Sequence, residues 1–295
     1  MTKSFIKHYF SKLNARIQYL YYKCVFGKNI IVINCWVNQS YGKIQHRNFG
    51  DELNVFLLEE LTGKRVICYH SYGKKNIPNY MVIGSIIQDL ADSSTIVWGA
   101  GVMRNDDILP VKPHKVCATR GKLTQDYLLK RGVSSPSIYG DPALLLPIVY
   151  HPKCKKKYKY GLIPHVKDLD LPLIQDILKS NTDIHLISLE NYEDWHFIID
   201  ELCSCEAILS SSLHGLILGD TYGIPNTWVR FSSNMCGGDF KYLDYFSGVN
   251  RKTKTPILLT DAYKLIDAIA ALDNYEPIVF DKDALLKACP FDITL

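Results

Sequence analysis

Residues Cys205 to Val229 read C-E-A-I-L-S-S-S-L-H-G-L-I-L-G-D-T-Y-G-I-P-N-T-W-V, and the reading of the whole chain turns on this stretch. Ala207-Ile208-Leu209 is a short apolar run of the type expected for a buried strand. Three serines follow, and Leu213 to Tyr222 then reads as a helix carrying His214 and Gly215 in its first turn. Gly223 and Pro225 stop that helix, glycine just past the end and proline soon after. A second strand is predicted around Thr227 to Val229. A helix N-terminus at the carboxyl end of a buried strand presents free N–H groups and a partial positive charge. Small serines beside it leave room for a ligand and add hydroxyl donors. The pattern predicts a phosphate or carboxylate site with a histidine placed to give or take a proton. The alternative is that Ser212 is only an N-cap and His214 only a packed or surface histidine.

Similar strand–turn–helix units recur upstream. Ile30 to Trp36 is a strand candidate, followed by a polar loop from Asn38 through His46-Arg47, then Asn48-Phe49-Gly50-Asp51 and a helix from Val55 to Leu61 ending at Gly63. Asp51 is placed either to cap that helix or to face a cleft as an acid or base. Tyr80 to Ser85 and Thr95 to Gly101 are two further strands ending in small residues, where a ligand or another backbone can approach closely. The complete dinucleotide fingerprint is absent. Lys115 to Thr119 is another strand, followed by Arg120-Gly121-Lys122 and a helix to Lys130. Beyond the lysine-rich segment 151–159, Tyr160 to Pro164 opens a second set of alternating elements with His165 at the strand end. A helix from Leu171 to Lys179, a strand from Ile184 to Ser188 and a helix from Trp195 to Cys203 lead into the opening stretch. Asp261 to Leu272 and Lys282 to Lys287 read as helices forming a C-terminal cap.

Such alternation predicts an α/β fold with two Rossmann-like, parallel-sheet domains facing one cleft, ligands binding at the carboxyl ends of the strands. The expected divisions are an N-terminal helix over residues 1–28, a first domain over 29–150, a basic linker over 151–159 and a second domain with terminal helices over 160–295. The 295 residues suffice for two domains. The net charge of +4 does not argue for nucleic acid. Nine cysteines without a Cys-x-x-Cys pair fit reduced thiols better than a disulfide framework or a zinc site. No apolar run reaches transmembrane length and no secretory signal is apparent, so a cytoplasmic location is expected. Residues 1–28 contain no acidic residue, and Ile6, Phe10, Leu13, Ile17, Leu20 and Cys24 share one helical face flanked by Lys3, Lys7, Lys12, Arg16, Lys23 and Lys28. A helix lying on an anionic membrane surface and a helix packed on the domain are both open readings.

Several motifs taken together resemble the polysaccharide pyruvyl transferases. They are Asn48-Phe49-Gly50-Asp51, Trp98-Gly99-Ala100-Gly101, Arg120-Gly121 with Thr124, Tyr139-Gly140-Asp141-Pro142-Ala143-Leu144, and Ser210-Ser211-Ser212-Leu213-His214-Gly215 with Asp220, Tyr222-Gly223 and Pro225. The resemblance covers roughly residues 30 to 250. It implies a fold similar to GT-B glycosyltransferases. It also implies transfer of the pyruvyl unit of phosphoenolpyruvate to a sugar of a cell-surface polysaccharide, such as a galactose, in some cases on an undecaprenyl-diphosphate carrier. Many members carry arginine where this chain has Ser212.

The resemblance and the chemistry of ketal formation together suggest the site. An acid, a base and an anion clamp are needed; no metal and no cofactor beyond the donor substrate is expected. His214, Asp51 and Asp141 are the catalytic candidates, Asp141 alternatively serving only its Asp-Pro turn. Ser210, Ser211, Ser212, Leu213 and Gly215 are expected to hold the donor, together with His165 and the cations Arg120, Lys122 and Arg230. Asn48, Gly50, Trp98, Gly99 and Gly101 are expected on the acceptor side. A GT-B glycosyltransferase using a nucleotide sugar and a non-catalytic sugar- or lipid-binding protein are the alternatives.

Overall fold

The structure is a computed structural model that describes residues 3–45, 48–72, 76–105, 109–232 and 238–294, with side chains from residue 13 onward. His46-Arg47 and the side chains of Lys3, Ile6, Lys7, Phe10 and Lys12, all invoked above, lie outside the described residues. Ten strands form two wholly parallel sheets. The first contains β1 (Ile30–Ile33), β2 (Arg65–Cys68), β3 (Asn79–Met81), β4 (Thr95–Trp98) and β5 (Lys115–Ala118) in the order β2-β1-β3-β4-β5. The second contains β6 (Tyr158–Ile163), β7 (Ile184–Leu186), β8 (Cys205–Ser210), β9 (Asn226–Arg230) and β10 (Ile257–Leu258) in the order β7-β6-β8-β9-β10. The two orders are the same. In each sheet the direction of winding reverses beside the first strand, between β1 and β3 and between β6 and β8, and such switch points are where doubly wound sheets take ligands.

The elements follow the sequence pattern with small shifts. Helix α2 (Phe49–Thr62) starts six residues before the predicted Val55, so Asn48 rather than Asp51 is the N-cap and Asp51 lies in the first turn; α1 is Lys3–Phe26. Gly63 ends α2 in the left-handed conformation, φ 62°. Helices α3 (Lys122–Lys130), α4 (Pro172–Ser180), α5 (Trp195–Cys203) and α6 (Leu213–Thr221) lie close to the predicted segments. After α6 the Ile224 N–H reaches back to the Gly219 carbonyl at 2.8 Å, with Gly223 at φ 65° making the reversal. Helix α7 (Phe240–Gly248) was not expected, although Tyr242, Tyr245, Phe246 and Val249 form a helical stripe, all buried.

Two sets of contacts join the sheets. On one side, Asn48 bridges Glu190 and the Phe49 N–H donates to the Leu189 carbonyl at 2.8 Å. There Phe49 meets Tyr192 edge-on, Phe56 stacks on Trp195, and the Tyr192 hydroxyl bonds the Glu52 carboxylate. On the other side α7 lies against the segment after β5. Asp244 accepts from Arg120 Nε at 2.9 Å and from the N–H and Oγ1 of Thr124, both at 2.8 Å. Only glycine fits at residue 121, since a Cβ there would fall 1.7 Å from the Asp244 carbonyl oxygen. One hydrophobic cluster consequently runs from the first sheet into the second. The last helix, α8 (Lys282–Lys287), departs from the expected cap on the second half. Trp98 Nε1 donates to the Leu285 carbonyl at 2.9 Å, and Phe291 packs on Tyr80, so the C-terminal segment covers the first sheet. Burial of the Trp98 indole requires this partner for its N–H.

Candidate active site

The site assembles where the two switch points face one another. β6 ends at Ile163 and passes through Pro164 to His165, while the parallel strand β8 ends at Ser210, level with Ile163. Ser210 Oγ receives the Ser212 N–H at 3.0 Å and lies 2.9 Å from the Ile163 carbonyl; Ser211 Oγ receives the His165 N–H at 2.8 Å. Both serines are fully buried and shape the turn from beneath. Ser212 is the N-cap of α6, makes no side-chain capping bond, and faces the cavity. Gly215 lies underneath, where a Cβ would come within 2.3 Å of Ser210 Oγ.

His214 projects from the first turn of α6 onto the first turn of α2. A Cβ on Gly50 would lie 2.1 Å from His214 Nδ1, so the missing side chain at residue 50 is what seats the imidazole. The cavity in front of it has a volume of about 230 Å³. Its lining includes Asn48, Asp51, Arg120, His165, Leu213 and Lys241. Lys241, in the first turn of α7, is 8% exposed, and the next residue anchors it: the Tyr242 hydroxyl donates to the Ser211 carbonyl at 2.7 Å while its ring stacks on Trp228. Arg120 is fully buried, paired to Asp244 through Nε, bonded to Ser85 through Nη1 and to the Val102 carbonyl through Nη2 at 3.1 Å.

Burial and these cations together set the protonation of the histidines. Burial, then Lys241 and Arg120, lowers His214 to about 3. Burial, then Lys241, lowers His165 to about 4, partly offset by Asp168. Both are neutral in the ligand-free protein at neutral pH. His165 Nδ1 accepts from the Lys167 N–H at 3.2 Å, which leaves the proton of the neutral ring on Nε2. The pocket thus gathers two neutral imidazoles, Lys241, the Asp244-paired Arg120 and the Asp51 carboxylate around an uncapped helix N-terminus, a place fitted to hold an anion.

The other expected residues lie elsewhere. Lys122 reaches Asn250 at 3.3 Å and Arg230 pairs with Asp239, neither lining the cavity. Trp98 faces α8, and Gly99 makes room for Pro142, whose Cδ would lie 2.2 Å from a Cβ at residue 99. Gly101 clears the Arg120 guanidinium, 2.5 Å from a Cβ there. Asp141 is buried away from the cavity, where its Oδ1 caps the Ala143 N–H at 3.0 Å and burial raises it to about 6. Lys241, Asp244 and the half-exposed Trp36 at the cavity mouth were not singled out from sequence; the stripe of α7 was the available signal for the first two. Among the described residues no group of three or more His, Cys, Asp or Glu could hold a metal ion. A notch of about 330 Å³ beside β9 lacks this convergence, its Arg251 being spent on Asp220 and Asn226.

A family model described as polysaccharide pyruvyl transferase matches residues 40–233, a span that contains most of the cavity lining. The chain belongs to the polysaccharide pyruvyl transferase family. Family membership supports a transferase acting in polysaccharide biosynthesis. Two relatives are similar over most of this chain. Uncharacterized protein L143 of Acanthamoeba polyphaga mimivirus is 32% identical over 213 residues, covering 69% of this chain and 72% of its own. Succinoglycan biosynthesis protein ExoV of Rhizobium meliloti (strain 1021) is 26% identical over 214 residues, covering 70% of this chain and 62% of its own. In this member of the family Ser212 stands where the resemblance leads one to expect arginine, and the buried ammonium of Lys241 lines the same cavity.

Proposed function

We propose that the protein transfers the pyruvyl unit of phosphoenolpyruvate to two hydroxyls of one sugar, releasing phosphate and forming a cyclic ketal. The observation that carries this reading is the convergence of Lys241, Arg120, His165, His214 and the N-terminus of α6 on one small cavity. At about 230 Å³ it falls below the roughly 300–1,000 Å³ of larger ligand sites, which suits a compact polyanion better than a nucleotide sugar. The two facing sheets fit a GT-B-like pair of Rossmann-like domains, divided as the sequence suggests near residues 151–159.

In the proposed reaction one sugar hydroxyl adds to the central carbon of the donor while the methylene carbon takes a proton and becomes methyl. A second hydroxyl on the same sugar then forms the second C–O bond as the C–O bond to phosphate breaks. His214 is held neutral by burial and by the cations beside it; the negative donor offsets those cations and so raises its proton affinity, and His214 delivers the proton to the methylene carbon. Asp51, across the cavity, receives the proton of the first hydroxyl, the proton of the second leaves on the departing phosphate, and Asn48 orients the acceptor. Lys241 and the first-turn N–H groups of α6 hold the carboxylate or phosphate, with Arg120 supplying field from behind. Phosphate release from phosphoenolpyruvate in the presence of a sugar acceptor tests the proposal. Binding of nucleotide sugars with no response to phosphoenolpyruvate would overturn it.

Lys241→Met tests the clamp. Losing a charge-assisted contact raises KM for phosphoenolpyruvate roughly 10- to 100-fold and leaves the acceptor KM unchanged, as read from initial-rate kinetics. An equal effect on both would remove Lys241 from the donor side.

The N-terminal helix supports a peripheral location on the cytoplasmic face of a membrane, near a lipid-linked acceptor. Among the helix's described side chains Gln18 and Tyr22 are buried, whereas Leu13, Ile17 and Leu20 are 42–57% exposed. No helix among the described residues is long and apolar enough to cross a membrane. Binding to vesicles containing anionic lipid should weaken with salt and disappear when residues 1–28 are removed; binding that survives the truncation counts against this location.

A further inference from the structure

Trp36 separates two depressions. It is 59% exposed, an unusual position for so large an apolar ring, and it lines both the catalytic cavity and a wider groove of about 640 Å³ above the carboxyl ends of β1 and β2. The groove is furnished with Asn38, Tyr69, His70, Asn76 and Asp89 around the apolar Trp36 and Val37. Its walls are tied down. Asn34 Nδ2 donates to the Leu90 carbonyl at 2.7 Å, and the Tyr69 hydroxyl receives the Asn76 N–H at 3.2 Å. Cys35 and Val37, on either side of Trp36, are buried, so the exposed indole stands on a fixed backbone.

The chemistry of the groove contrasts with that of the cavity. Among the described lining residues there is no Lys or Arg, and Asp89 and Asp92 supply negative charge. Amide, hydroxyl and carboxylate groups beside one aromatic face suit an uncharged, hydroxyl-rich ring, whose C–H face packs on indole while its hydroxyls exchange hydrogen bonds at the rim. The groove adjoins the cavity at the edge where Asn48 and Asp51 would meet the acceptor.

We propose that this groove is an acceptor subsite that holds the sugar unit next to the one being modified, with the Trp36 indole as the platform between the two. The inference rests on the pyruvyl-transfer reading and adds the place at which, and the residues by which, the neighbouring unit of the acceptor is held.

The test compares kcat/KM for galactose, mannose and N-acetylglucosamine with that for disaccharides ending in the same sugars, in the wild type, Trp36→Ala and Asn38→Ala. The expected result is a preference for a disaccharide of about 10-fold or more, which Trp36→Ala reduces to near one by raising the acceptor KM, with the phosphoenolpyruvate KM unchanged. Equal use of monosaccharide and disaccharide by the wild type overturns the subsite while leaving pyruvyl transfer standing. So does a Trp36→Ala effect of equal size on both acceptors. Should no acceptor release phosphate, the pyruvyl-transfer reading fails, and disaccharide binding followed by saturation-transfer NMR judges the groove separately: binding abolished by Trp36→Ala upholds it, and binding unaffected or absent overturns it.

Discussion

His214→Ala slows phosphate release by roughly 100- to 10,000-fold, the range expected for loss of a positioned proton donor. The imidazole is seated by Gly50 and kept neutral in the free protein by burial and then by the cations beside it. The sign of the pH dependence follows. As an acid in the donor complex it must be protonated, so kcat falls as pH rises through its raised value there. In the free protein it is neutral above about 3, so a histidine limb in kcat/KM lies well to the acid side. Gly50→Ala is the complementary change. It leaves the imidazole in the sequence but displaces it, and its loss of turnover should approach that of His214→Ala. A folded His214→Ala variant with near-normal turnover would pass the acid role to His165, the other neutral imidazole on the cavity wall.

Arg120→Leu lowers stability by about 3–5 kcal/mol, the usual cost of breaking a buried ion pair and stranding its partner. Both side chains are fully buried, and Asp244 would retain only its two Thr124 donors. Chemical denaturation measures the loss. The double change Arg120→Leu with Asp244→Leu should recover much of it, since removing both charges avoids an uncompensated carboxylate. A single variant within about 0.5 kcal/mol of wild type, the range of an ordinary surface change, would mean that the pair does not hold α7 to the first sheet.

The parts of this molecule written in local sequence were legible. Cys205 to Val229 announces its strand, turn and helix through an apolar run, small residues and a Gly–Pro stop, and each element is present within one or two residues. His214, His165, Asp51, Asn48 and Arg120 were named for one cleft and line one cavity. What local pattern could not show was direction. Three consecutive serines look equivalent, yet only Ser212 faces the cavity, because the other two bond the end of β6. The glycines at residues 99 and 101 resemble ligand contacts, but they admit Pro142 and the Arg120 guanidinium. Asp141 sits in a conspicuous motif and caps its own turn. Lys241 was missed for the opposite reason. It lies far along the chain from the motifs of the first half, and α7 lying against Arg120–Thr124 brings it beside His214.

The two seams that join the sheets flank the cavity, one through Asn48 and Glu190 and the other through Arg120 and Asp244. A molecule hinged between its halves could assemble its catalytic groups only upon closing around substrate. Here the same contacts that complete folding also bring His214 onto Gly50 and Lys241 to the rim. On the proposed reaction the site is therefore assembled by the fold itself, and damage to either seam should surface as slower turnover before it surfaces as unfolding.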